Sequence, residues 1–222
     1  MCRSNVIIII IIFILICLNK KIISYYYTNK FSNWVERPIK VKKIYFNYSG
    51  YVSIEDIKIL NYKKNYHQNI FKAKKIEINF DIDSIFSDLI IIKSLNIHEP
   101  EFFLDISIKK DNKKNNKISY EDNIGLAKKI SENTPDKIWP PKKRDVNFLI
   151  KKSNLYKSIG HIKVPQISNP YKVELSQMKF SSFGNDKNYR HYKDVLNSIL
   201  FDLYVRIEVI ELKKLLKEIY KF

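Results

Sequence analysis

The chain has 222 residues, enough for one modest domain behind an N-terminal segment or for two small lobes. Its 4 glycines argue against a Gly-rich phosphate loop, and its only cysteines, Cys2 and Cys17, leave the body without disulfide, thiol or zinc chemistry. The net charge of +17 suits anionic partners, but only five of the 40 basic residues are Arg (Arg3, Arg37, Arg144, Arg190, Arg206). With Ile, Lys, Asn and Tyr dominant, as in A+T-rich coding, that charge reads as a solvated lysine surface with weak attraction to anionic headgroups, not as a nucleic-acid site.

Val6–Leu18 is an unbroken apolar run of 13 residues. At about 1.5 Å per residue it covers roughly 20 Å, short of the roughly 30 Å hydrocarbon core. No small-x-small cleavage triplet follows it, and Ile16 is too bulky for a lipoprotein site before Cys17. Lys20 and Lys21 can snorkel, Ile22 and Ile23 can extend the span, and Tyr25–Tyr27 suit an interface. Residues 1–28 are expected to form an uncleaved signal anchor.

A β module is expected over 29–108. Ile39-Lys-Val41 and Ile44-Tyr-Phe46-Asn-Tyr48 alternate, with the aromatics on the stripe of Ile44. Ser49-Gly50 marks a turn, and Val52, Ile54, Ile57 and Ile59 supply the next strand or pair. Asn61–Gln68 reads as a loop. Ile76, Ile78, Phe80 and Ile82 then alternate with Glu77, Asn79 and Asp81, and Leu95 and Ile97 keep that period. Phe102, Leu104 and Ile106 resume it beyond Pro100. Asp83–Asp88 reads as a short helical turn with an Asp or Ser cap. These segments are expected to form an antiparallel meander with one apolar face.

Residues 109–144 read as a solvated, Pro-containing linker, with a short helix possible over Tyr120–Glu132. A second β segment with a C-terminal helix is expected over 145–222. Its strands are Val146–Ile150, Ile159–Ile167 interrupted by Pro165, Val173–Leu175 and Met178–Phe180. Leu196, Ile199, Leu200, Leu203, Ile207 and Ile210 carry a helical stripe onward to Ile219, although Val205, Ile207 and Val209 also fit a strand.

Catalytic machinery is not expected. His67, His98, His161 and His191 are separated from one another and from any cysteine, and His98-Glu99 reads as a solvated turn pair. Asp81 and Asp83 share one face of a strand by spacing, which a polar sheet face explains without a metal. No nucleophile elbow, Walker loop or dinucleotide fingerprint is present. No cofactor, metal or nucleic-acid partner is implied.

The stretch KAKKIEINFDIDSIFSDLIIIKSLNIHEPEFFLDI couples a strand ending in D-x-x-S-I to hydrophobic-x-x-L-x-I-x-x-P-x-hydrophobic-x-L. Behind an N-terminal anchor, this pattern resembles the N-terminal module of AsmA-like proteins, relatives of TamB and, more remotely, of bridge-like lipid transporters. The resemblance spans about Ile39–Ile106 and continues loosely through Arg144–Phe183; the chain would be a short member, with fewer glycines than the family pattern. It implies an anchor in a bacterial inner membrane, a periplasmic body, and a mainly β fold with a twisted, taco-like sheet and a long C-terminal amphipathic helix. It also implies envelope lipid homeostasis or outer-membrane assembly, with membrane lipids and envelope proteins as partners. Acyl chains would then lie on Ile76, Ile78, Phe80, Ile82, Leu95, Ile97, Phe102, Leu104 and Ile106. The alternative for the same stripe is a closed core packed by the C-terminal helix, which would make the protein a scaffold.

Overall fold

The computed structural model describes residues 25, 28–29, 31–33, 37–61, 67–111, 117–124, 147–165, 169–185 and 188–220. Most of the expected anchor and most of the expected linker lie outside them. Among the described residues no helix is long and apolar enough to cross a membrane.

The chain is mainly β. In order, it forms β1 (Ile39–Lys40), β2 (Lys43–Phe46), β3 (Tyr51–Leu60) and β4 (Asn69–Phe80), then a 3₁₀ turn (Ile82–Phe86). After the turn come β5 (Leu89–His98), β6 (Glu101–Asp111), β7 (Lys117–Asp122), β8 (Asn147–Tyr156) and β9 (Ile159–Lys163). The chain ends with β10 (Tyr171–Glu174), β11 (Met178–Gly184), β12 (Arg190–His191), α1 (Tyr192–Arg206) and α2 (Ile210–Tyr220). All the strands belong to one sheet.

That sheet is mixed, which corrects the expected antiparallel meander. β5 pairs with β8 in parallel and β6 with β9 likewise, because the excursion after β7 brings the chain back to the end where β5 began. Other expectations shift as well. Lys109–Asp111 is strand, not solvated linker, and Tyr120–Asp122 belongs to β7 rather than to a helix, since β6 and β7 pair from Ile106↔Asp122 to Asp111↔Lys117. The single terminal helix is two, interrupted at Ile207–Val209, within the β-branched stretch that fitted both periods. The 3₁₀ turn forms where expected but has no side-chain cap. Instead Ser84 Oγ donates to the Asp81 carbonyl at 2.6 Å and accepts from the Ile91 amide at 2.8 Å. Asp81 and Asp83 therefore do not share a strand face.

The strands break along one line. Asp56, Glu99 and Lys157 have φ of 48°, 50° and 54°, a conformation costly for L residues. Asp56 lies inside the continuous β3, Glu99-Pro100 separates β5 from β6, and Lys157-Ser158 separates β8 from β9. The Glu99 amide donates to the Tyr156 carbonyl, the Ile159 amide to Pro100, and the Leu175 amide to Ser158, each at 2.9 Å, so backbone bonds stitch this seam together.

Directly paired residues project to the same face. One face carries the rows Phe46–Val52–Ile78–Leu95 and Ile44–Ile54–Ile76–Ile97–Leu155–Met178. The opposite face carries Tyr45–Ser53–Glu77–Asn96–Asn154–Lys179. Tyr45 therefore leaves the stripe of Ile44 on which it was expected. The helices lie on the apolar face, where Ile199, Leu200 and Leu203 of α1 and Leu212, Leu216 and Ile219 of α2 cluster with Leu104, Ile106, Ile162 and Phe180. Gly160 makes that approach possible, for a Cβ there would stand 2.5 Å from Leu203 Cδ1.

Candidate functional site

The nine expected groove positions divide between a covered end and an open end of the apolar face. Leu104 and Ile106 are buried beneath α1 and α2, Ile106 completely. Ile76 is buried in a second cluster with Ile39, Ile57, Ile59, Ile70 and Ala73. Phe102 is half-buried, its ring 5.4 Å from that of Phe71. Ile78, Phe80, Leu95 and Ile97 are also half-buried, and Leu95 and Ile97 border both clusters. Ile82 lies outside the strand, at the start of the 3₁₀ turn and 38% exposed. The pattern carried it one step too far, because β4 ends at Phe80 after a register shift at Asn79/Phe80.

The open end widens towards the β2–β3 turn. Phe46, Ile85 and Phe86 are exposed there, Phe86 at 93%. Gly50, with φ of +82°, packs so tightly that an added Cβ would stand 2.8 Å from the Phe80 carbonyl oxygen. That approach joins the turn to the edge of the 3₁₀ segment. Ile44, Val52, Ile54, Ile78 and Phe80 thus form a half-exposed apolar strip of the sheet face, bordered by Ile92 and Leu95, which pack against the helix-covered cluster, and by the exposed Phe46, Ile85 and Phe86.

The polar face holds a cluster that sequence spacing missed. His67 and His161 were expected to stand apart, yet their ring centroids are 6.2 Å apart around Phe103, which stacks on His161 at 4.6 Å. Buried Asp105 pairs with His67 Nδ1 and accepts from the His67 amide at 3.1 Å and from Asn61 Nδ2 at 3.3 Å. Arg37 closes the cluster by donating to Asn61 Oδ1 and the Asn123 carbonyl. The available signal was Asp105 itself, one charge between Leu104 and Ile106. His161 Nε2 lies 2.9 Å from Glu101, but burial lowers the His161 pKa more than this partner raises it.

Nearer the seam, Glu77 accepts from Lys75 Nζ at 2.6 Å and Tyr51 Oη at 2.8 Å, and lies 2.9 Å from His98 Nε2. These bonds lower its pKa to about 2. His98 therefore partners Glu77, while the adjacent Glu99 pairs with Lys74 at 2.8 Å. Lys75–Glu77, His98–Glu77 and Lys74–Glu99 are thus held as ion pairs on this face. Among the described residues no group of three or more His, Cys, Asp or Glu side chains could hold a metal.

Comparison with known proteins finds no matching family model, no matching curated protein and no matching solved structure.

Proposed function

We propose that this protein binds acyl chains without catalysis on the open end of its apolar sheet face, as a membrane-anchored, AsmA-like component of envelope lipid homeostasis or outer-membrane assembly. The observation that supports this reading is the half-exposed apolar strip Ile44, Val52, Ile54, Ile78 and Phe80, none of which packs against the cluster formed with α1 and α2. An exposed apolar surface this continuous marks an interaction site, and a trough closed at one end suits a chain more than a globular partner. Each buried methylene contributes about 0.8 kcal/mol, so several methylenes suffice for a reversible hold. The apolar run Val6–Leu18 supplies the reason for the lipid to be near. In this reading residues 1–28 anchor the chain in a bacterial inner membrane, the body lies in the periplasm, and the sheet is the taco-like trough of that family.

Photolabelling tests it. The full chain is produced in cells fed a diazirine fatty acid, irradiated, and its labelled peptides mapped by mass spectrometry. Adducts should concentrate on 43–54 and 76–97 and be lost in Ile78→Glu, while Phe201→Glu on the outer side of α1 leaves them intact. Unchanged labelling in a folded Ile78→Glu protein, shown by an unaltered far-UV spectrum, would sink the proposal.

A second reading has its own support. Phe201, Val205 and Ile210 are exposed on the helices, a surface suited to an envelope protein partner. In that scaffold reading, Phe201→Glu abolishes complex formation and Ile78→Glu does not.

A further inference from the structure

Two neighbouring rows on the polar face are charged in opposite ways. Along the seam the signs alternate through Lys42, Asp56, Lys74 and Glu99. Lys42 pairs with Asp56 at 3.3 Å and Lys74 with Glu99 at 2.8 Å. The next row does not alternate. Lys40, Lys58 and Lys72 stand directly opposite one another on β1, β3 and β4, and the row continues through Glu101, Ile159 and Glu174 on β6, β9 and β10. Like charges directly opposite across strands about 4.8 Å apart repel. Lys58 makes no ion pair among the described residues, and the Lys72 ammonium lies 4.8 Å over the Phe103 ring instead of on a carboxylate.

A cavity of about 770 Å³ opens beside this row. It lies where β4 leaves β5 at Lys75 and joins β6 at Lys72, so the ladder has a gap opposite Glu99-Pro100. Lys58, Lys72, Glu101, Ile159 and Glu174 of this row all line it, basic residues at one end of the row and acidic ones at the other. Ser158 is also among its lining residues, buried, with an Oγ that has no hydrogen-bond partner. A buried hydroxyl left so is destabilising, and a bound polar group or a bridging water relieves it. The cavity is lined by four lysines and four carboxylates, so it is neutral overall but split into a basic and an acidic side. A polyanion does not fit that balance. A small molecule with both charges does.

We propose that this cavity binds a zwitterion in which a phosphate or carboxylate is joined by a short carbon spacer to a primary ammonium. The anion sits on Lys58 and Lys72, relieving their repulsion, and the ammonium sits on Glu174 and Glu101, the latter also paired with His161. Phosphoethanolamine has this chemistry, whether free or as a lipid headgroup. The site is on the opposite face from the acyl trough, and its failure would leave the photolabelling result untouched.

Isothermal titration of the full chain in nonionic detergent tests it, using phosphoethanolamine, inorganic phosphate, ethanolamine and dihexanoyl-phosphatidylethanolamine as probes. Phosphoethanolamine should bind saturably, more tightly than phosphate or ethanolamine alone. Lys58→Glu and Glu174→Lys, both exposed and expected to fold, should each weaken it about tenfold or more. Tighter binding of the short-chain lipid assigns the headgroup as the source, and equal binding assigns the free compound. Absence of binding by both zwitterions, phosphate binding as tightly as phosphoethanolamine, or indifference to both substitutions would overturn the site.

Discussion

The two ends of the apolar face share one pattern and have opposite fates. Ile76–Phe80 and Phe102–Ile106 alternate in the same way, yet Ile106 is wholly buried while Ile78 and Phe80 stay half-open. Phe102–Ile106 on β6 is paired with β9 and roofed by α1 and α2, whereas Ile76–Phe80 on β4 lies between β3 and β5, and β2 and β3 bring no helix of their own. Periodicity selects a face but does not supply its cover. Cover comes from chain placed far along the sequence, here some 90 residues beyond Ile106. The covered end therefore carries stability, and in the proposed reading the other is left for an acyl chain.

Substitutions should expose that difference. The largest effect is expected for Leu212→Ala or Leu216→Ala, each truncating a fully buried side chain at the helix–sheet contact; urea unfolding should show a loss of about 2–5 kcal/mol. Gly160→Ala comes next. Its new Cβ would stand 2.5 Å from Leu203 Cδ1, which must shift within the buried cluster, at a cost of about 1–3 kcal/mol. Ile78→Ala at the open end should cost only about 1 kcal/mol or less, because a half-exposed chain has less burial to lose. A loss at Ile78 as large as at Leu212 would mean that the open end is core after all.

How much of this was legible follows the same logic. The strands β3 to β6 were readable because alternation is local, and Pro100 marked the true break between β5 and β6. The fate of Ile82 was not, since only the bulge at Asn79/Phe80 and the 3₁₀ turn decide where the strand stops. β7 was hidden because its Lys- and Asn-rich approach resembles a solvated linker, although pairing with β6 makes it strand. Parallel pairing of β5 with β8 was equally hidden, because direction depends on how the excursion returns. Of the nine candidate positions, the alternation of the eight that lie on strands was legible, and their division into covered and half-exposed was not. His67 and His161 are 94 residues apart in sequence and meet only because a loop residue reaches over β6 towards β9.

The smallest expected effect sits on the polar face and is read by pH. The His161 pKa lies below the ordinary 6.5, chiefly through burial, with Glu101 opposing and His67 and Lys172 assisting the shift. The unfolded chain therefore takes up this proton before the folded one. His161 contributes its full share of stability above pH 6.5, and that share is lost as pH falls through the folded value. Glu77 adds a separate step, its contribution present above 4.5 and lost as pH falls through about 2. Midpoints of urea unfolding followed from pH 8 downwards should be level to about 6.5 and then decline, with the first decline removed by His161→Gln and the more acidic one by Glu77→Gln. Both steps belong to the polar face, so neither substitution should change acyl photolabelling at pH 7.5. If His161→Gln alters labelling, the two faces are coupled through the seam, and the division of labour between a lipid-facing and a polar face fails.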